Sequence, residues 1–315
     1  MTNRISKGAA WLAGGAVALA GAAVFNHVSA RAAEKKFPPA GTLIDVDGVK
    51  VHYTDTGGPG DAIVLIHGNA SLVQDFEVAG LVSRLAATHR VISFDRPGYG
   101  YTERPTDREW TAEAQAELLA SAARQIGVVR PVVVGHSWGT LVAMAWALAH
   151  PGEVKALALL AGYYYPTSRP DSRAVAVAEL PGIATVFNNA WGPLQTRIVR
   201  PLGNKMIFAP AEVPPAFNDN MPFGLMLRPQ QIRASGEDGA QMPANVARLS
   251  ARYNKLQMPI VVLWGDGDKL VGQAEQSERL VAELPTAAGE AMPGVGHMIH
   301  HVRPAAVASA ILALA

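Results

Sequence analysis

Residues 131–140 read PVVVGHSWGT, a run of β-branched apolar residues that passes directly into a histidine, a serine and a tryptophan between two glycines. A serine hydroxyl is a weak nucleophile at its free pKa. Hydrolysis through serine therefore needs a base beside the hydroxyl and N–H donors for the oxyanion that attack creates. The G-x-S-x-G spacing of Gly135, Ser137 and Gly139 lets a strand turn sharply into a helix and leaves the serine exposed at the carboxyl end of the strand. Taken alone, the pattern is also compatible with a plain structural turn in a chain that holds 30 glycines.

The elements that would position such a serine alternate along the chain. TLIDVDGVKVHYTDTG alternates apolar and polar residues around Asp47–Gly48 and predicts a hairpin, with Ile44, Val46, Val49 and Val51 facing inward. Short apolar runs at 62–68, 90–95, 131–135, 154–162 and 258–266 read as strands buried on both faces. Helical patterns around 76–87, 111–126 and 139–149, and from about 304, separate or follow them. This alternation predicts right-handed crossovers into a mostly parallel sheet with helices on both faces. Residues 163–253 interrupt the rhythm with Pro, Asn, Met and aromatic residues and read as an inserted helical cap. Their apolar content is too high for a disordered loop.

Composition narrows the function classes. With 27 Lys and Arg against 26 Asp and Glu the net charge is +1, and no basic stripe stands out, which argues against nucleic acid as a partner. The absence of cysteine removes disulfides, thiolate metal sites and cysteine nucleophiles. No glycine-rich phosphate cradle occurs, so no organic cofactor is implied. At the N-terminus, residues 8–25 carry no charge and follow the basic start MTNRISK. They predict a membrane helix, either an anchor or a signal peptide ending in Val28-Ser29-Ala30, and hence a membrane-associated or exported protein. Residues 1–30 then form that segment, 31–42 a linker with the extended stretch FPPAG, 43–162 and 254–315 the core, and 163–253 the cap.

The ordered motifs over roughly residues 43–312 resemble the α/β-hydrolase family. HGNAS at 67–71 resembles its oxyanion loop, DRPGYG at 95–100 the turn after the next strand, WGDGDKLV at 264–271 the acid loop and GVGHM at 294–298 the histidine loop. The resemblance implies an eight-stranded α/β sheet and a Ser-His-Asp triad in the order nucleophile, acid, histidine. It casts Ser137 as nucleophile, His297 as base and Asp268 as the acid that orients the imidazole. Asp266 is the alternative acid; Asp268 is preferred because the family places the acid three residues after the glycine that follows the strand, here Gly265. The backbone N–H groups of Asn69 and Trp138 would hold the oxyanion. Tyr163 and Tyr164 are candidate pocket residues at the start of the cap. His67 and His136 are expected to be structural, Asp95 and Arg96 to form a loop-fixing ion pair, and His300 and His301 to pack a helix start or face solvent without making a metal site.

Asn69 and Trp138 also resemble the halide-binding pair of haloalkane dehalogenases. Those enzymes use an aspartate nucleophile, because carboxylate attack on an alkyl carbon leaves a cleavable ester whereas serine would leave an inert ether. Ser137 thus points to acyl transfer, foremost hydrolysis of carboxylic esters with apolar acyl groups. A C–C bond hydrolase and a proline-iminopeptidase-like amidase remain as alternatives on the same triad. A catalytically silent, membrane-tethered ligand-binding protein is the alternative from a different class.

Overall fold

A computed structural model describes residues 2–167 and 182–315, with side chains from residue 14 onward. Eight strands form one sheet: β1 (Thr42–Val46), β2 (Val49–Asp55), β3 (Ala62–Ile66), β4 (Arg90–Phe94), β5 (Val132–His136), β6 (Ala156–Leu160), β7 (Ile260–Gly265) and β8 (Ala287–Met292). Their order is β1-β2-β4-β3-β5-β6-β7-β8, with β1 and β2 antiparallel and β4 through β8 parallel. β3, β5 and β6 are buried along their whole length, as continuous apolar runs in the middle of a parallel sheet require.

The hairpin forms as the alternation predicts, with Val46, Val49 and Val51 buried and Ile44 half-buried. Asp47 and Gly48, at φ of 51° and 77°, make its turn. Helices Ala112–Gln125 and Gly139–Ala149 lie close to their predicted bounds, and Thr111 caps the first by accepting from the Ala114 N–H at 3.1 Å. The helix expected around 76–87 is instead two short helices, Gln74–Val78 and Leu81–Leu85, because Gly80 at φ 69° breaks the run. β8 had no apolar run to announce it. It is an edge strand with most residues exposed, so its sequence, AAGEAM, needs no core face.

The cap contributes helices Ile183–Val186, Gly192–Phe208, Pro215–Asn220, Phe223–Met226 and Pro229–Ser250. The first two join through a π turn at Phe187–Trp191. The expected cap residues 168–181 lie outside the described residues.

The expected membrane helix needs correction. Among the described residues no helix is long and apolar enough to cross a membrane. Residues Thr2–Lys36 do form one helix, but it runs unbroken through the expected cleavage site and into the expected linker, and its second half packs on the cap. Asn26 is buried there, its Nδ2 donating to Asn189 O and Ala190 O, both at 2.9 Å. Glu34 pairs with Arg228 at 2.9 Å, and Ala33 packs with Leu72 and Leu225. Asn26, Arg31, Glu34, Lys35 and Lys36 make this half a docking helix for the protein rather than for hydrocarbon. The expected run's first residues, 8–13, lie outside those whose side chains are described.

Candidate active site

β5 ends at His136, and the chain reverses into helix Gly139–Ala149 through Ser137, which sits at φ 51°. A non-glycine residue in that region is strained, and such strain persists where the surroundings impose it. The two flanking glycines show how tight the turn is. A Cβ on Gly135 would lie 2.5 Å from Gly139 O, and one on Gly139 would lie 2.3 Å from Ile66 O. Ser137 N donates to Leu160 O at 2.9 Å, and the Thr140 hydroxyl donates to Ser137 O at 2.6 Å, so both neighbouring strand and following helix hold the turn.

His297 arrives on the loop after β8, and Asp268 on the loop after β7. The Nδ1 of His297 lies 2.7 Å from Asp268 Oδ2, with both side chains buried. Asp268 Oδ1 accepts from Leu270 N at 2.8 Å and Val271 N at 3.2 Å, which fixes the carboxylate. Asp266, the alternative acid, instead accepts from Gly294 N at 2.8 Å on the surface. Geometry thus pairs the histidine with Asp268. The His297 N–H donates to Ile207 O at 2.8 Å, tying the histidine loop to the end of a cap helix.

Ser137 and His297 share the wall of a cavity of about 670 Å³ between sheet and cap. Asn69, Trp138 and Tyr163 also line it, as do apolar cap residues such as Phe187, Phe217 and Met221. Tyr164 corrects an expectation: it is fully buried in the core beneath the cavity rather than in its wall. Burial pushes its phenol far above the ordinary value, which keeps it neutral.

The side chains around Asn69 and Trp138 hold a feature that sequence did not reveal. Asp238, on cap helix Pro229–Ser250, is fully buried. It accepts from Arg96 Nη1 at 2.6 Å and Gln115 Nε2 at 3.0 Å, and Arg104 lies 3.1 Å away. Arg96 lies 4.6 Å over the Trp138 ring, and the Tyr99 hydroxyl lies 2.6 Å from Asn69 Oδ1 and 2.8 Å from Asp238. Asn69 Nδ2 donates to Ser235 O at 3.2 Å and Trp138 Nε1 to Asp238 O at 3.1 Å. The cap is thus latched to the loops that carry both candidate oxyanion donors. The indole N–H, the only side-chain donor of Trp138, is thereby engaged by the cap backbone.

Asp95 and Arg96 correct a second expectation, since they do not pair with each other. Asp95 lies 2.6 Å from His52 Nδ1 and accepts from Val73 N and Tyr101 N, while Arg96 serves Asp238. His300 and His301 are both buried and neither faces solvent: their Nε2 atoms lie 3.2 and 2.7 Å from the Asp75 carboxylate. Asp75 lies more than 220 positions away and converges on them from helix Gln74–Val78. Burial would raise its carboxyl, but His300 and His301 outweigh burial and hold it well below the usual carboxylate range. The three make a compact group with metal-ligating atoms, a convergence that spacing alone did not show.

His67 and His136 are structural in their contacts, as expected. His67 Nε2 accepts from Arg96 N at 3.0 Å and its Nδ1 lies 2.8 Å from Gly68 O. Burial, aided by Arg96, lowers its pKa to about 4. Burial also lowers His136 and His300. These depressed values set an expectation for stability. In the unfolded chain the imidazoles of His67 and His136 protonate below about pH 6.5, while in the fold burial keeps both neutral well below it, so their contribution to stability is full above that pH and falls below it. His67 alone would cost about 3 kcal/mol by pH 4. Thermal midpoints should therefore drop steadily from pH 7 to pH 5; equal midpoints across that range would contradict the neutral buried histidines.

Comparison with known proteins agrees with this architecture. A family profile described as alpha/beta hydrolase fold matches residues 61–304. A 2-hydroxy-6-oxononadienedioate/2-hydroxy-6-oxononatrienedioate hydrolase of Pseudomonas putida is 24% identical over 254 residues, covering 79% of this chain and 85% of its own. Among solved structures, an alpha/beta hydrolase fold protein from Burkholderia ambifaria superposes with a TM-score of 0.73 at 22% identity, covering 88% of this chain and 98% of its own. A bacterial membrane phospholipase A superposes with a TM-score of 0.67 at 22% identity, covering 100% of this chain and 98% of its own. With its sheet order and a family profile that spans most of its length, the chain is a hydrolase that belongs to the α/β-hydrolase fold family.

Proposed function

We propose that the protein is a serine hydrolase that cleaves a carboxylic ester through an acyl-enzyme. The observation that carries this reading is that His297, held by Asp268 behind it, shares a cavity wall with the strained Ser137 turn. His297 takes the proton of the Ser137 hydroxyl as its oxygen attacks the ester carbon, and the backbone N–H groups of Asn69 and Trp138 receive the oxyanion. The tetrahedral intermediate expels the alcohol, which leaves with the proton from His297. Water, deprotonated by His297, then attacks the acyl-serine and releases the acid. The aromatic and methionine side chains of the cap suit an apolar acyl group. A panel of p-nitrophenyl esters of increasing chain length tests the reading: turnover rising from acetate to medium chains supports it, and no turnover of any ester contradicts it.

A second reading, hydrolysis of a C–C bond in a substrate with a carboxylate, is favoured by Arg200. This residue lines the cavity, stacks 4.1 Å over Phe223, and its Nε is buried without a hydrogen-bond partner among the described residues. An unanswered guanidinium N–H in a mostly apolar cavity suits an anionic substrate group. The Pseudomonas putida relative is named for a dioate substrate. Under this reading Arg200→Gln should raise KM for a dicarboxylate ring-cleavage product by about 10- to 100-fold and leave KM for a neutral ester unchanged. Equal KM values for the dicarboxylate in variant and wild type would rule this reading out.

A further inference from the structure

The cap helix Gly192–Phe208 has two contrasting faces. Thr196, Arg200, Gly203 and Ile207 line the cavity. On the outer side Trp191 is 56% exposed, Ile198 78%, Leu202 65% and Met206 52%. Their spacing of seven, four and four residues draws one apolar stripe along the helix. This reverses the usual order for a surface helix, which turns its apolar stripe inward.

The stripe continues onto the neighbouring N-terminal helix. Asn26 bonds that helix to the cap at Asn189 and Ala190, and Arg197 lies 5.0 Å over the Phe25 ring. Val24, Phe25 and Val28 are all more than half exposed beside this joint. Apolar patches of this breadth mark an interaction surface.

Charge indicates the partner. Residues 14–33 and 182–211 contain no Asp or Glu, while Arg31, Arg197 and Lys205 fall within them outside the cavity wall. We propose that this face docks on an anionic lipid bilayer. Helix Gly192–Phe208 lies in the plane of the headgroups with its stripe in the acyl boundary, and Arg31, Arg197 and Lys205, none of which lines the cavity, meet anionic headgroups. This is binding on a membrane, distinct from crossing one. A second copy of the chain is a poorer occupant, because two faces that carry cations and no carboxylates would repel. An apolar ester dissolved in the bilayer then lies one helix away from the cavity. That consequence rests on the ester reading; the docking does not.

The chain has no cysteine, so single cysteines report position without background. Ile198→Cys and Leu202→Cys on the stripe, and Val129→Cys as a control, are each labelled in the full chain with an environment-sensitive fluorophore. Val129 is 76% exposed and precedes β5, at the end of the sheet opposite Ser137. With vesicles of phosphatidylcholine and phosphatidylglycerol, emission at 198 and 202 should rise severalfold and be quenched by acyl-chain nitroxide lipids. The signal should weaken with phosphatidylcholine alone or in high salt, and position 129 should not respond. Three results would overturn the proposal: no vesicle binding, bound protein whose 198 and 202 probes still report water, or a concentration-dependent rise at 198 without vesicles. The last would assign the face to a second copy.

Discussion

Ser137→Ala is expected to lower ester turnover by roughly 10⁵- to 10⁶-fold, the scale seen when a serine hydrolase loses its nucleophile. The fold should survive, because the substitution removes one oxygen at the cavity wall and keeps the Cβ that the turn already accommodates. Alanine tolerates φ near 50° no worse than serine does, so the strain at this position is unchanged. An unaltered circular dichroism spectrum with lost turnover is the expected pair of results. A variant that is folded and retains most of its activity would remove Ser137 from the chemistry.

The second large effect concerns the acid. Asp268→Asn keeps shape but lets the amide donate to His297 Nδ1, which favours the wrong imidazole tautomer for accepting the serine proton at Nε2. The loss should be on the order of 10⁴-fold in kcat. Asp266→Asn should cost far less, because Asp266 accepts only from the Gly294 N–H at the surface. Measuring kcat for both variants separates the two acids, and the reverse ranking would transfer the role to Asp266.

Local chemistry explains which parts of this site were legible in sequence. The Ser137 turn is a contiguous pattern in which two glycines are imposed by backbone contacts below 3 Å, so the motif and its geometry are nearly the same statement. The central strands were legible because burial on both faces demands uninterrupted apolar residues. β8 was not, since an exposed edge strand carries no such demand. The Asp238 latch joins residues 142 positions apart, and the Asp75 group joins residues 225 apart. Their members are ordinary polar residues within their own segments, and only the folded chain brings them together. Asp95 and Arg96 show the converse: adjacent opposite charges suggested one pair, yet neighbours along a loop point to different partners.

The N-terminal segment shows how composition can mislead on its own. Eighteen uncharged residues satisfy a membrane-span count, but the helix that contains them continues for 11 residues beyond Phe25 as a cap-docking element. Its buried Asn26 and paired Glu34 belong to a protein contact.

The most direct test of the account is intact mass after exposure to a fluorophosphonate, on wild type and Ser137→Ala. The reagent forms a stable adduct only where a serine is activated by its base and an oxyanion site accepts the phosphoryl oxygen. One adduct per chain in the wild type, absent from the variant, is the predicted result. A wild-type chain that is folded and takes no adduct, or an adduct that persists in Ser137→Ala, would contradict the assignment of Ser137 as an activated nucleophile.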